Sequence, residues 1–80
     1  MQLILTVIGP NKKKYDIQVD NRQHIATTLR VIDENIAELA GQLQRVRVRV
    51  KKSGRILELQ NTYEEEGIYT GDELIISPIR

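Results

Sequence analysis

Few side chains in this sequence are of the types that catalyse reactions or bind metals. Cysteine is absent from the 80 residues, which excludes disulfides, thiolate catalysis and cysteine-ligated zinc or iron–sulfur sites. The single histidine, His24, has no second imidazole or thiolate with which to share a metal ion. A role in packing or capping at the start of a helix explains His24 more simply, so the sequence predicts no metal site.

The remaining polar clusters also have simpler explanations than catalysis. Thr27 and Thr28 have no general base that the sequence pattern would place beside them. The acidic run at residues 64–66 could attract a cation, but carboxylates are equally favoured in a solvated turn near a helix N-terminus. The glycines occur singly and form no phosphate-binding loop. We therefore expect no catalytic residue, no cofactor and no enzymatic activity.

Charge is concentrated in two adjacent blocks, although the net charge is only +1. A basic block without acidic residues is followed by an acidic block without basic residues. The basic block comprises Arg45, Arg47, Arg49, Lys51, Lys52 and Arg55, and the acidic block comprises Glu58, Glu64, Glu65, Glu66, Asp72 and Glu73. Such a distribution orients a partner, while the low net charge gives no general attraction to nucleic acid or membranes.

Three arginines in the basic block, Arg45, Arg47 and Arg49, form what we call the arginine ladder. They alternate with valines, which is typical of a strand that is half buried and half solvated. One interpretation is a solvated face that keeps the sheet soluble, and another is a surface that docks an acidic or polar protein. Nucleic acid is the least supported ligand, because no aromatic side chains interleave with the ladder and the net charge is low.

Apolar periodicity predicts the elements that position these residues. Strands are expected at residues 2–8, 15–19, 46–50 and 73–79, with a short strand at 56–59. The first two form a hairpin. In the last strand Leu74 and Ile76 face inward while Ile75 faces outward. The segment that begins Thr62-Tyr63-Glu64-Glu65 has the spacing of a capping box and should start a brief helical turn that ends at Gly67.

One amphipathic helix is predicted between the hairpin and the arginine ladder. Its apolar positions recur at spacings of four and three, at Ile25, Leu29, Ile32, Ile36 and Leu39. Asp20 and Asn21 are candidate N-caps, and Gly41 stands where a helix C-terminus favours a residue that tolerates positive φ.

This order of elements, together with the segment at residues 62–74, resembles the ubiquitin superfamily along the whole chain. The segment reads Thr62-Tyr63-x-x-x-x-Ile68-x-x-Gly71-Asp72-x-Leu74, with tyrosine in place of the usual leucine. The resemblance implies an α+β ubiquitin-like β-grasp fold, with a mixed sheet of four to five strands packed on one helix. It also implies that residues 1–80 form a single ubiquitin-like domain, the size that one core supports.

Within that superfamily the sequence is most similar to the YukD/EsaB-like proteins, which are small bacterial proteins associated with type VII (WXG100) secretion. The similarity rests on size and on His24-Ile25-Ala26 at the start of the helix. It implies a non-conjugated adaptor that binds another protein, namely a cytosolic domain of a secretion apparatus. A cytoplasmic location without membrane insertion is also expected, because the longest apolar run, residues 3–8, is too short for a span and lacks signal-peptide anatomy.

The alternative is a covalent modifier or sulfur carrier. Members of the fold that act in this way use an extended Gly-Gly carboxylate. This sequence contains no Gly-Gly pair and ends Ser77-Pro78-Ile79-Arg80. Because Pro78 and Ile79 are too bulky and constrained to enter an adenylating enzyme, we do not expect conjugation.

A binding surface follows from the strand pairing that the resemblance implies. The first and last strands pair at the sheet centre, and the arginine ladder lies beside the last strand. If residues 3, 5 and 7 face the helix, then the intervening residues face away from it. The predicted protein-binding surface has an apolar centre of Ile4, Ile8 and Ile75 flanked by Arg45, Arg47 and Arg49. Isolated surface isoleucines are common, so a plain solvated face is the alternative.

Overall fold

The computed structural model describes residues 1–79 and shows a four-stranded sheet with one α-helix against it. The elements, in chain order, are β1 (Gln2–Ile8), β2 (Lys14–Asp20), α1 (Ile25–Asn35), a 3-10 helix (Ala37–Leu39), β3 (Val46–Val50) and β4 (Glu73–Pro78). The strands lie in the order β2-β1-β4-β3. β1 and β4 are parallel, and the two outer pairs are antiparallel. The predicted fold class, an α+β β-grasp with a mixed sheet, is confirmed.

Alternation along the strands sends every second side chain into one core. Leu3, Leu5 and Val7 of β1 are buried, and the valines of β3 and Leu74 and Ile76 of β4 join them. The helix contributes its apolar stripe to the same cluster. At about 1.5–3 kcal/mol per buried aliphatic side chain, these residues supply the main favourable term in folding.

The segment at residues 62–68 folds as its capping-box spacing predicts. The Thr62 N–H donates to Glu65 Oε1 at 2.9 Å, and the Glu65 N–H donates to Thr62 Oγ1 at 3.1 Å. Gly67 ends the turn with a φ of 68°. Tyr63 and Ile68 on either side of the turn are buried in the core, so the ring that replaces the usual leucine packs as expected.

The predicted N-caps of the helix are wrong. α1 begins at Ile25 with His24 in the N-cap position, and no side chain caps it. The N–H groups of Ile25 and Ala26 donate instead to the carbonyls of Asn61 and Leu59, at 3.0 and 2.9 Å. A distant loop therefore satisfies donors that a capping side chain would otherwise take.

The helix is also shorter than its apolar stripe predicts. It ends at Asn35, Ile36 is extended, and the separate 3-10 helix follows. The Asn35 side chain donates to the Val31 carbonyl at 2.7 Å, an example of an asparagine competing with the backbone ladder. Leu39 is nevertheless fully buried. Gly41 has the predicted positive φ, but it follows the 3-10 helix rather than the α-helix.

The short strand predicted at residues 56–59 is reduced to a single bridge between Arg49 and Ile56. The Leu57 N–H still donates to the Val48 carbonyl at 2.9 Å. Beyond that point the chain leaves β3, because the carbonyls of Leu59 and Asn61 bond to the start of α1. The sheet therefore has four strands rather than five.

Candidate protein-binding surface

The sheet face turned away from α1 is the candidate site, which we call the open face. It displays the side chains of β1, β4 and β3 that the core does not use. Those residues are Ile4, Thr6 and Ile8, then Glu73, Ile75 and Ser77, and finally Arg47 and Arg49, all exposed or half-buried. The three isoleucines and two of the three arginines predicted for the binding surface thus share this face.

Strand register places three of its residues in one row that continues onto β2. Ile8 pairs with Ile75 across the parallel β1–β4 ladder, and Ile75 pairs with Arg49 on β3. On the other side Ile8 pairs with Lys14 of β2. Paired residues project to the same face, and neighbouring strands are about 4.8 Å apart. The row therefore has two adjacent isoleucines in the middle and a basic side chain at each end.

Ile4 lies apart from this row. Thr6 stands between Ile4 and Ile8 on β1, and its hydroxyl donates to Asp16 Oδ1 at 2.8 Å. Glu73 pairs with Thr6 from the other side. Ile4 and Ile8 are four residue steps apart along the strand, or roughly 13 Å. Ile4, 58% exposed, is therefore a second apolar point beyond a polar band rather than part of one continuous apolar centre.

The arginine ladder runs along the edge of the open face. Arg47 pairs with Ser77, Arg49 pairs with Ile75, and the carbonyl of Arg45, just before β3, accepts the Ile79 N–H at 3.0 Å. All three side chains are exposed. Within residues 1–79 the cations in ion pairs are the N-terminus, Lys13, Lys51, Lys52 and Arg55. In that part of the chain, the ladder guanidinium groups have no carboxylate partner.

The structure adds Ile56 to this surface, a residue that the sequence analysis did not assign to it. Its bridge with Arg49 places it next to the ladder, on the outer side of β3. Ile56 is 52% exposed while Leu57 is buried. Because Ile56 and Leu57 are both apolar, their residue types do not reveal which of the two faces outward. The period-two pair Leu57 and Leu59, both directed at the core, is the signal that could have identified Ile56.

The acidic block has a different role, because its carboxylates hold loops together. Glu66 Oε1 accepts the Glu58 N–H at 2.8 Å and lies 3.4 Å from Arg55 Nη1. Asp72 is buried, accepts the Tyr69 N–H at 2.9 Å and forms an ion pair with Lys52 at 3.1 Å. Basic charge is therefore left available on the surface while much of the acidic charge is used internally.

The other residues considered for chemistry have structural contacts. His24 Nδ1 lies 2.7 Å from the Gln60 carbonyl, and the buried Thr28 hydroxyl accepts a hydrogen bond from Gln23 Nε2 at 2.6 Å. Residues 1–79 contain no cluster of three His, Cys, Asp or Glu side chains placed to hold a metal ion. No helix in the same range is long and apolar enough to cross a bilayer. Arg80, the last residue of the tail considered above, lies outside the described residues.

Comparison with known proteins identifies the fold. No protein-family model matches the sequence, and no curated protein matches it. Among solved structures, the ubiquitin of Caldiarchaeum subterraneum superposes with a TM-score of 0.77 at 15% identity, covering 100% of this chain and 96% of that one. The ubiquitin-like domain of Plasmodium falciparum Dsk2 gives 0.71 at 14% identity, with 96% and 100% covered. A protein designed from ubiquitin gives 0.79 at 21% identity, with 96% and 88% covered. The chain therefore has the ubiquitin-like β-grasp fold.

Proposed function

We propose that this protein is a non-conjugated ubiquitin-like module that binds another protein through the open face. The observation that carries the proposal is the arginine ladder, whose three exposed guanidinium groups lack ion-pair partners within residues 1–79. The ladder borders the strand that carries Ile75, which pairs with Arg49 on one side and with Ile8 on the other. An apolar centre with a charged rim is the usual anatomy of a protein interface.

The charge and shape of this surface define the complementary partner. Guanidinium groups bind carboxylates through paired, charge-assisted hydrogen bonds, so the ladder favours an acidic surface. Ile8 and Ile75 would receive an apolar side chain at the centre of that surface, and Ile56 would extend the contact beyond Arg49. Ile4 and the polar band at Thr6 would lie at the rim, where contacts contribute little affinity.

We further propose, from the sequence resemblance to YukD/EsaB-like proteins, that the partner is a cytosolic domain of a bacterial type VII (WXG100) secretion apparatus. The neighbouring genes test this assignment. Genes for WXG100 proteins and for an FtsK-like ATPase beside this one would support it, and their absence would leave the open-face proposal standing with a different partner.

Chemical-shift mapping with an isotope-labelled chain tests the surface directly. On addition of a candidate secretion-apparatus domain, the amides of Ile8, Arg47, Arg49 and Ile75 should shift. The amide of Arg30, which is exposed on α1 on the other side of the sheet, should not shift. Shifts concentrated at residues 64–66 or along α1 would show that the partner docks elsewhere.

A nucleic-acid ligand for the ladder has its own signature. Phosphate contacts release counterions, so the affinity for an oligonucleotide would fall steeply with salt. We expect no measurable binding to single- or double-stranded oligonucleotides at physiological ionic strength. Tight, strongly salt-dependent binding to an oligonucleotide would show that the ladder binds nucleic acid and would contradict the proposed protein partner.

A further inference from the structure

The free edge of the sheet at β2 has a backbone arrangement that the function proposed above does not use. β2 is an outer strand, with β1 as its one neighbour. The Ile4 carbonyl accepts the Gly71 N–H at 2.9 Å, and the Thr6 N–H donates to the Asp72 carbonyl at 3.2 Å. The even-numbered residues of β1 therefore direct their backbone groups toward β4, away from β2.

On β2 the even-numbered residues direct their backbone groups away from β1, toward the free edge. Gln18 and Asp16 are the register partners of Ile4 and Thr6, so these pairs do not exchange hydrogen bonds with each other. Their N–H and C=O groups point outward instead, as do the N–H and C=O of Lys14. Such a row of backbone donors and acceptors is a template for another strand.

We propose that a second copy of this chain pairs with that edge, β2 against β2 in antiparallel orientation, with Ile17 opposite Ile17 about a two-fold axis. In this register Asp16 faces Gln18 of the second copy, and both have outward backbone groups, so they exchange hydrogen bonds. Lys14 faces Asp20 of the second copy, and the symmetry repeats both contacts. The contact is isologous, as in most soluble dimers.

The charges of β2 select this register over its neighbours. Sliding the pair by one hydrogen-bonding step in one direction places Asp16 opposite Asp16 of the second copy. A step in the other direction places Asp16 opposite Asp20. Like charges directly opposite each other on paired strands are destabilising, whereas opposite charges stabilise the pair. In the proposed alignment the segment Lys14-Tyr15-Asp16-Ile17-Gln18-Val19-Asp20 thus places unlike charges opposite each other, whereas each of the two adjacent alignments places like charges opposite each other.

The other face of the same edge offers apolar surface to the second copy. Ile17 of β2 and Val31 of α1 line a groove between strand and helix, and Val31 is 45% exposed. The two-fold axis runs perpendicular to the sheet, so both helices lie on one side and the two grooves face each other. Pairing would remove part of this apolar surface from water.

The dimer would be one continuous sheet of twice the width, with two open faces side by side. A single partner with two acidic sites would then bind bivalently. The dimer does not depend on the open-face proposal, because different residues and a different occupant form it.

Charge reversal at the two ends of β2 tests both the dimer and its register. Sedimentation velocity and native mass spectrometry from micromolar to millimolar protein should show a wild-type dimer. Lys14→Asp places two acidic residues opposite each other at both ends, and Asp20→Lys does the same with two basic residues. Because each change converts two attractions into repulsions, either variant should weaken the dimer by about tenfold or more.

Mixing the two variants provides the decisive arm. One copy then carries acidic residues at both positions and the other carries basic residues, so every end contact pairs opposite charges. An equimolar mixture should form a heterodimer more readily than either variant forms a homodimer. Lys12→Asp, an equal charge change on the hairpin turn outside β2, should leave the wild-type dimer intact.

The controls separate folding from pairing. Asp20 Oδ1 accepts the Arg22 N–H at 2.8 Å, so Asp20→Lys must be shown to fold by circular dichroism. If it does not, Lys14→Asp alone decides, because Lys14 is exposed at the end of β2. A wild-type protein that stays monomeric at millimolar concentration would overturn the proposal. So would a dimer that Lys14→Asp leaves unchanged.

Discussion

At the scale of single residues, the helix stripe is anchored by Ile32. This side chain is 5% exposed and lies in the main core cluster. Ile32→Ala should reduce the free energy of unfolding by about 2–5 kcal/mol, because it removes buried methylenes and leaves a cavity. Val31→Ala, one residue away on the exposed side, is the matched control and should have a much smaller effect. Equal denaturant midpoints for the two variants would show that the side of α1 assigned here to the core is not the side that packs there.

Tyr63 supplies a pH dependence of stability at the alkaline end. Burial raises the pKa of the Tyr63 phenol, and the interaction with the Thr28 side chain acts in the opposite direction. A group with a raised pKa contributes stability that is present below its unfolded value of about 10 and is lost as the pH rises through the folded value. Tyr63→Phe should remove this alkaline loss in denaturant titrations. If wild type and Tyr63→Phe lost the same free energy of unfolding above pH 10, Tyr63 would not be the source of the alkaline loss.

Residue types together with the family likeness predicted which side chains fill the core, but not all of those that face out. Tyr63 was placed correctly because the likeness at residues 62–74 fixes its position relative to Ile68. Ile56 was not, since it stands next to the equally apolar Leu57 and its face depends on the bridge to Arg49. That bridge crosses the turn that follows β3, and the period-two pair Leu57 and Leu59 is the local signal that points to it.

At the scale of elements, apolar periodicity predicted burial more faithfully than backbone conformation. The stripe from Ile25 to Leu39 is buried or half-buried throughout, yet α1 ends at Asn35 and a 3-10 helix places Leu39. The missing N-cap has the same origin. Carbonyls from residues 59 and 61 satisfy the first helical N–H groups, and a contact between distant segments of this kind is not visible in the local sequence.

The capping box at Thr62 and Glu65 makes a testable prediction at acidic pH. Hydrogen bonds from the Thr62 backbone N–H and, secondarily, from its side chain lower the pKa of Glu65 from its ordinary value. A lowered pKa means stability that is present above the unfolded value and lost as the pH falls through the folded one. NMR titration should place the Glu65 midpoint below that of an unperturbed glutamate in the same chain. Thr62→Ala keeps the backbone N–H and removes only the side-chain contribution, so it should move the midpoint only part of the way back up. A wild-type midpoint equal to that of an unperturbed glutamate would contradict the capping box.

At the scale of the whole molecule, the order of elements and the fold class could be predicted because both follow from patterns along the chain and from the family likeness. The residues of the open face could be predicted from alternation together with the strand pairing that the family likeness implies. Its layout could not, since the parallel register of β1 and β4 decides that Glu73 stands beside Thr6 and Ile75 beside Ile8. Register between strands distant in sequence depends on packing of the complete sheet.

The central claim is that a protein partner docks on the open face, with Ile8 and Ile75 at the centre and the arginine ladder at the rim. The double variant Ile75→Glu, Arg47→Glu places acidic groups in the centre and rim of that surface. At about 2 kcal/mol or more for a hot-spot residue, binding should weaken at least about 30-fold, with slower association to an acidic partner. The thermal midpoint should change little, because both side chains point away from the core.

The most direct measurement is calorimetric titration of one partner domain into wild type, the double variant and two controls. Arg30→Glu makes the same charge reversal on the exposed side of α1. Lys13→Glu does so at the hairpin turn, where Lys13 pairs with Glu38 at 2.9 Å. Our account predicts wild-type affinity for both controls and loss of binding for the folded double variant. Equal affinity of wild type and double variant would show that the open face is only a solvated surface.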